Sequence, residues 1–157
     1  MLAVSVVFFI FATTMLSFMD ARTKRLPNKF LIPSILIIHV LLITAALVSQ
    51  NKLEKTLDLF TGTVVMFIFF FILAVISRGQ LGAGDVKLAA LLGPMLGFVG
   101  GITMTATAIA IICLLGGVWA AITILRTKTS KGLLAFGPVM VVGSWASLLT
   151  GVDWVVM

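Results

Sequence analysis

Two aspartates lie at the ends of long apolar stretches, where a charged side chain costs free energy and therefore suggests a function. Asp20 follows an uncharged run that begins at Met1, and Asp85 precedes the uncharged run that begins at Leu88. Two carboxyl groups that come close together cannot both ionise at low cost, so one keeps a proton while the other is charged. Such a pair can take a proton from water and donate one to a peptide carbonyl.

No other residues in the chain offer a rival chemistry. His39 lies inside an apolar run, and one histidine alone cannot form a zinc site. No serine is expected to meet His39 at a plausible depth in the membrane, where the ring could act as its general base. Cys113 is the single cysteine, which excludes an intrachain disulfide and a redox pair. His39 is therefore interpreted as a packing or hydrogen-bonding residue and Cys113 as a small hydrophobe. We expect aspartic-protease chemistry, with no metal and no cofactor.

Simpler roles remain open for both acids. Asp85 would serve as the N-cap of a helix that begins at about Val86, with Gly84 supplying the turn. Asp20 would be a loop residue neutralised by Arg22 or Lys24, although a negative charge is unfavourable at the C-terminal end of a helix. If the acids form a pair, the helix dipoles predict that Asp85 is ionised and Asp20 protonated, in one coupled titration.

The composition places these acids in a membrane protein. The 157 residues are 61% hydrophobic, with 11 Lys and Arg and 5 Asp and Glu, too few charges to cover a soluble domain. Uncharged runs cover residues 1–19, 30–51, 59–77, 88–125 and 132–152. Four of these runs match the ~20 residues that span a bilayer. The run over residues 88–125 is about twice too long for one span, so we expect it to turn back between Gly97 and Thr105. The predicted fold is all-α and polytopic, with six transmembrane helices.

The basic residues report orientation rather than nucleic-acid binding, because they lie in short loops without interleaved aromatic residues. If six helices are threaded, nine basic residues fall on one face of the membrane and two on the other. The positive-inside bias makes the nine-residue face cytoplasmic and puts both termini outside, so both acids face the cytoplasm. On the outer side, helix three is expected to open at Asp58 after a loop over residues 50–56, with Glu54 and Asp58 as capping acids.

The residues around the acids resemble those of a known family. Gly82-Ala83-Gly84-Asp85, followed by Lys87, is similar to the GxGD motif of membrane aspartyl proteases. Asp20 with Pro27-Asn28 seven residues later, and Pro33 beyond, resembles the first-aspartate motif of the type 4 prepilin peptidases. The likeness covers essentially the whole chain, residues 1–157, as one peptidase domain.

The resemblance implies a substrate and a set of roles. Members remove a short basic leader from prepilin-like proteins at the cytoplasmic face of the cell membrane, just before a hydrophobic helix. Asp20 and Asp85 would be the catalytic pair, and Gly82 and Gly84, which lack a Cβ, would let a substrate backbone approach. Pro27, Asn28 and Lys87 would support the site. The partners implied are precursors of type IV or Flp pilins or preflagellins, together with membrane lipid, and no nucleic acid.

Longer relatives also methylate the new N-terminus and carry a cysteine-bearing segment between the first two helices. Only residues 21–29 lie there in this chain, which favours a peptidase without methyltransferase activity. Two other classes stay open: a small transporter that uses the acids as an ion site, and a membrane scaffold in which they only cap helices. The sequence fixes no oligomeric state.

Overall fold

The chain folds into helices throughout the described part of the structure. The computed structural model describes residues 2–23, 27–77, 81–127 and 136–150, and within these ranges no strand is present. The helices are α1 (Leu2–Thr23), α2 (Asn28–Val48), α3 (Lys52–Ile76), α4 (Ala83–Thr127) and α5 (Gly137–Thr150). The predicted all-α class is therefore confirmed.

Helix α4 is 45 residues long and is broken near its middle by two glycines. Gly100 has φ −135° and ψ 20°, and Gly101 has φ 62° and ψ −152°. Glycine adopts the positive φ of Gly101 without the steric penalty that a Cβ would bring. The break lies inside the segment where the sequence predicts a turn. We call residues 83–99 the first limb of α4 and residues 102–127 its second limb.

Contacts between α1, α4 and α5 establish that the two limbs run in opposite directions. The Ser147 hydroxyl donates to the Met104 carbonyl at 3.0 Å, whereas Phe136, at the other end of α5, packs on Gly116. The second limb thus passes the start of α5 at Gly116, beside Asp20. Since the first limb begins near Asp20 as well, the chain turns back at Gly100 and Gly101.

The bundle therefore has two distinct ends. The aspartate end holds Asp20, Asn28, Asp85 and Gly137, and the break end holds Lys55, Asp58, Gly100 and Gly101. Both names are used in this sense below.

Helices α1 to α4 are each long and apolar enough to cross a membrane, judged by length and composition. Helix α5 is also apolar but has 14 residues, about 21 Å at 1.5 Å per residue, against a hydrocarbon core of about 30 Å. Large apolar side chains are exposed around the bundle, among them Val48 at 78% and Leu125 at 79%. Long apolar helices with apolar outer surfaces characterise a multi-pass membrane protein.

The first limb of α4 is the centre of the bundle. Its residues from Asp85 to Phe98 are almost all buried, and this limb packs on α2 and α3. Helix α1 instead packs mainly on α2 and α5. Because closely packed neighbours surround these side chains, the limb that carries Asp85 has little freedom to shift.

Glycines bring α3 and the first limb into backbone contact. A Cβ on Gly62 would lie 2.5 Å from the Gly93 carbonyl oxygen, and a Cβ on Gly97 would collide with the Asp58 carbonyl. Small residues allow such close approach where lipid removes the hydrophobic force between helices.

The N-terminus of α3 differs from the prediction. Helix α3 begins at Lys52 with Asn51 in the N-cap position, so Asp58 lies in the second turn and does not cap the helix. Glu54 does lie in the first turn, where its carboxylate accepts a hydrogen bond from the Asn51 amide at 3.1 Å. The helix starts early because residues 52–57 are mostly good helix formers and include neither glycine nor proline. Asp58 instead lies beside Gly101, next to the break in α4.

Candidate active site

Asp20 is a buried acid in the last turn of α1. The helix continues past it to Thr23, and the side chain is only 4% exposed. The backbone N–H of Gly137 donates to Asp20 Oδ2 at 2.9 Å, across 117 positions of sequence. Gly137 is the first residue of α5, whose opening N–H groups have no partner within their own helix. Asp20 therefore supplies the acceptor that the start of α5 requires.

The start of α5 is held in place by an aromatic ring. Phe136, the residue before α5, packs on Gly116 of the second limb so closely that a Cβ there would collide with the ring. Its ring centroid also lies 6.2 Å from that of Phe70 on α3. The Phe136 carbonyl accepts the Met140 N–H at 3.0 Å, which closes the first turn of α5. Two neighbouring helices thus fix where the Gly137 N–H points.

Asp85 lies in the first turn of α4 and is 6% exposed. Its Oδ2 accepts the backbone N–H of Gly82 at 3.1 Å, and its own N–H donates to the Gly82 carbonyl at 3.0 Å. This reciprocal pairing places Gly82 at the N-cap and Asp85 at the third helical position, as in half of a capping box. The helix therefore begins three residues before the predicted start at about Val86. Gly82, and not Asp85, takes the N-cap position that the simpler interpretation gave to the acid.

The fold brings the two acids together at one end of the bundle. Asp20 and Asp85 lie close enough for the charge of one carboxyl to act on the other. Both also accept a backbone N–H at the start of a helix: Asp20 from Gly137, the first residue of α5, and Asp85 from Gly82, the N-cap of α4. The sequence argument that dipoles favour a protonated Asp20 considered α1 alone. The positive end of α5 opposes that effect, so the dipoles do not separate the two acids.

The remaining motif residues lie around this pair. Lys87 Nζ donates to Asn28 Oδ1 at 2.9 Å, which ties the start of α2 to the first limb of α4. Pro27 occupies the N-cap position of α2, and its carbonyl accepts the N–H groups of Phe30 and Leu31 at 3.1 Å each. Gly84 is the second residue of α4 and is helical, not part of a loop.

His39 and Cys113 lie apart from the acids. His39 Nδ1 is 2.8 Å from the Ile35 carbonyl and Nε2 is 3.4 Å from Thr63 Oγ1, so the ring links α2 to α3. Cys113 is exposed on the second limb. Across residues 2–23, 27–77, 81–127 and 136–150, no three His, Cys, Asp or Glu side chains gather as a metal site would require.

Two residues that shape the site escape the sequence argument. Gly137 and Phe136 contribute a backbone N–H and an apolar ring, neither of which has a catalytic signature. The dipeptide Gly137-Pro138 is the available signal, since proline favours the first turn of a helix, where its missing N–H costs little.

The chain matches a family model and a curated protein. The model of the type IV leader peptidase family matches residues 6–121, which include both aspartates and Lys87. The chain is 32% identical over 122 residues to the "Prepilin leader peptidase/N-methyltransferase" of Bacillus subtilis (strain 168). That match covers 77% of this chain and 48% of the relative, so the chain spans about half of the relative's length. No solved structure matches the chain.

Proposed function

The chain belongs to the type IV leader peptidase family, and from that premise we propose that it is an aspartyl endopeptidase that removes the leader from prepilin-like precursors. The observation that carries this proposal is the convergence of Asp20 and Asp85, buried and 65 positions apart, at one end of the bundle. The substrates would be precursors of type IV or Flp pilins or preflagellins with a basic leader before an apolar helix.

In the proposed reaction, the ionised member of the pair takes a proton from water as the water oxygen attacks the scissile carbonyl carbon. The protonated member donates its proton to the carbonyl oxygen, which gives a neutral tetrahedral diol. Proton transfer to the amide nitrogen then lets the C–N bond break, and the pair returns to its starting charge. The amides of Gly137 and Gly82 hold Oδ2 of each acid throughout, so neither carboxyl must be reoriented during the reaction.

We place the aspartate end at the cytoplasmic face of the cell membrane, with six spans in one domain over residues 1–157 and both termini outside. The described charges support this orientation. Arg22, Lys29 and Lys87 lie at the aspartate end, and Lys52 and Lys55 near the break end. Acidic headgroups of the cytoplasmic leaflet attract basic segments, so they would hold both a basic leader and this face at the membrane surface.

We propose that the chain hydrolyses the leader peptide without methylating the product. The curated relative carries both names. Only residues 21–29 separate the first two apolar runs, and the single cysteine, Cys113, lies elsewhere. The chain therefore lacks the cysteine-bearing segment expected of a methyltransferase.

Co-expression with prepilin-like precursors tests the peptidase proposal. Each precursor should carry a short basic leader that ends in glycine before an apolar helix, and leader loss is scored by gel mobility and N-terminal sequencing. The parent chain should process at least one precursor, whereas Asp20→Asn and Asp85→Asn should insert normally and process none. Processing by either variant at the parent rate would refute the proposal.

The pH dependence provides a second test of the pair. Cleavage should rise and then fall with pH, because only the singly protonated pair holds both an acid and a base. A rate that stays flat from about pH 4 to 9 would contradict a shared-proton mechanism.

A further inference from the structure

The start of α5 approaches Asp20 more closely than any side chain at position 137 would allow. A Cβ built on Gly137 would lie 2.6 Å from Asp20 Oδ2, 3.1 Å from Cγ and 3.2 Å from Cβ. Real Cβ atoms essentially never lie under 3.0 Å from another heavy atom. The 2.9 Å hydrogen bond from the Gly137 N–H therefore depends on the absence of a side chain there.

The neighbours of Gly137 concentrate this contact on one amide. Pro138 follows it and has no N–H, so it cannot offer Asp20 a second donor. Phe136 precedes it and is held by Phe70 on α3 and by the close contact with Gly116 on the second limb. The amide is thus fixed in space by two helices other than α1, which carries Asp20.

From these contacts we propose that Gly137 is a positioning residue of the active site. Its N–H selects the orientation of the Asp20 carboxyl, and its missing Cβ lets that N–H reach Oδ2. The inference rests on the proposed function, in which Asp20 is one of the two catalytic acids. Phe136 assists by fixing the start of α5.

This role has a defined kinetic signature. The three heavy atoms nearest to a Cβ at position 137 all belong to Asp20, so the substitution displaces that carboxyl first, and the bond between Asp85 and Gly82 does not involve residue 137. Gly137→Ala should therefore lower kcat, by about 100-fold for a displacement near 1 Å, while KM stays close to the parent value.

The pH profile should move as well. Each proton loss from the pair leaves negative charge that the Gly137 N–H no longer stabilises, so both limbs of the profile should shift to higher pH. The charged groups described on the elements around Asp20 are Asp85 and Lys87 on α4, Arg22 on α1, whose guanidinium lies 4.2 Å from the Phe18 ring centroid, and Lys29 on α2. All of them are unchanged in the variant.

The experiment compares three alanine variants of the full chain, purified in detergent, on the precursor that the parent cleaves fastest. Gly117→Ala is the neutral control, because a Cβ there meets nothing within 4 Å. Gly143→Ala controls for crowding of α5, since its Cβ would lie 2.5 Å from Ile112 Cγ1 and far along the helix from Asp20. We expect Gly143→Ala to lower thermal stability without shifting the pH profile. A Gly137→Ala enzyme with the kcat and pH profile of Gly117→Ala would overturn the inference.

A double-mutant cycle of unfolding stability tests the contact between Gly137 and Asp20 without any substrate. Asp20→Ala removes Oδ2 and Cγ, so Gly137→Ala should destabilise the Asp20→Ala chain less than it destabilises the parent. Equal destabilisation in both backgrounds would overturn the inference, even if the parent cleaved every precursor. Failure of the parent to cleave any precursor, with this coupling present, would instead refute the proposed function.

If Gly137→Ala does not fold, Phe136→Leu takes its place. This variant keeps the Gly137 N–H but removes the ring that fixes the start of α5, so kcat should fall and the pH profile should shift in the same direction. Parent values for both would overturn the inference.

Discussion

The two ends of the bundle are built on different physical principles. At the aspartate end, polar groups from distant parts of the chain hold one another through hydrogen bonds: Asp20 with Gly137, Asp85 with Gly82, and Asn28 with Lys87. At the break end, the helices touch through glycine backbone. One end thus relies on placed donors and acceptors, one of which reaches Asp20 only because Gly137 has no side chain. The other end relies on direct contact between helix backbones.

Charges at the break end still have a role, which is to match helix dipoles. Lys55 Nζ donates to the Phe98 carbonyl at 3.0 Å, at the C-terminus of the first limb. The Asp58 carboxylate lies beside Gly101, where the second limb begins. A cation at a helix C-terminus and an anion at an N-terminus are both favourable. Helix α3 therefore stabilises both sides of the break, and the comparison predicts that damage there affects stability whereas damage at the aspartate end affects rate.

The largest expected effect is at the aspartate end. Asp20→Asn or Asp85→Asn should lower the cleavage rate by about 1,000-fold or more, because a positioned acid or base contributes about 100- to 10,000-fold. The measurement is the rate of leader removal by purified protein, with thermal unfolding as the control for folding. A variant that unfolds at a much lower temperature than the parent would mean that the acid stabilises the fold. This result would contradict the prediction that changes at the aspartate end affect rate and not stability.

Crowding the break end should affect stability instead. The Cβ of Gly97→Ala would collide with the Asp58 backbone carbonyl, which cannot move as a flexible side chain can. Overpacking of this kind costs about 1–3 kcal/mol, so the midpoint of thermal unfolding should fall while kcat per folded molecule stays near that of the parent. Gly117→Ala is the matched control in open space. An unchanged midpoint would contradict the close α3–α4 contact.

The bond between Lys87 and Asn28 should have an intermediate effect on rate. It is solvent-exposed, so its net contribution is about 1 kcal/mol, and Lys87→Met or Asn28→Ala should slow cleavage by about fivefold. The double variant should be no slower than either single variant, because both changes remove one interaction. Multiplied effects in the double variant would show that the two residues act separately.

The smallest effect is expected for Lys55. Lys55→Met removes the donor to Phe98 at the break and should cost about 1 kcal/mol of stability, with cleavage unaffected. Lys52→Met changes the same charge three residues earlier on α3, where a cation faces the positive end of the helix, and should not destabilise the chain. Equal destabilisation by both variants would mean that the loss of positive charge, and not the loss of the Lys55–Phe98 hydrogen bond, lowers the stability.

The sequence predicts the features that depend on composition and local spacing. Apolar runs give the helices, and the length of the run from Leu88 to Leu125, together with its glycines, predicts the break found at Gly100 and Gly101. The pairing of Asp20 with Asp85 follows from placing both at ends of apolar runs on one face.

The features that the sequence does not predict depend on contacts between distant residues. The partner of Asp20 is a backbone amide 117 positions away, and a backbone amide occurs at almost every residue. Asp58 looks like a capping acid by type, but Asn51 takes the N-cap position and Asp58 meets Gly101 through the packing of α3 on α4. Similarly, the sequence suggests a loop at Gly84. The hydrogen bond between Asp85 and Gly82 makes Gly82 the N-cap, so Gly84 lies in the first turn of α4.

The position of Gly137 bears on how relatives of this chain should be judged in genome surveys. The match to the family model ends at residue 121, sixteen positions before the glycine whose amide orients Asp20. A shortened gene could keep both aspartates and every flanking motif. Its product would still lack the backbone N–H that orients the carboxyl of the first aspartate. An inventory of functional peptidases should therefore require a helix beginning with a glycine after the matched region, in addition to the two acids.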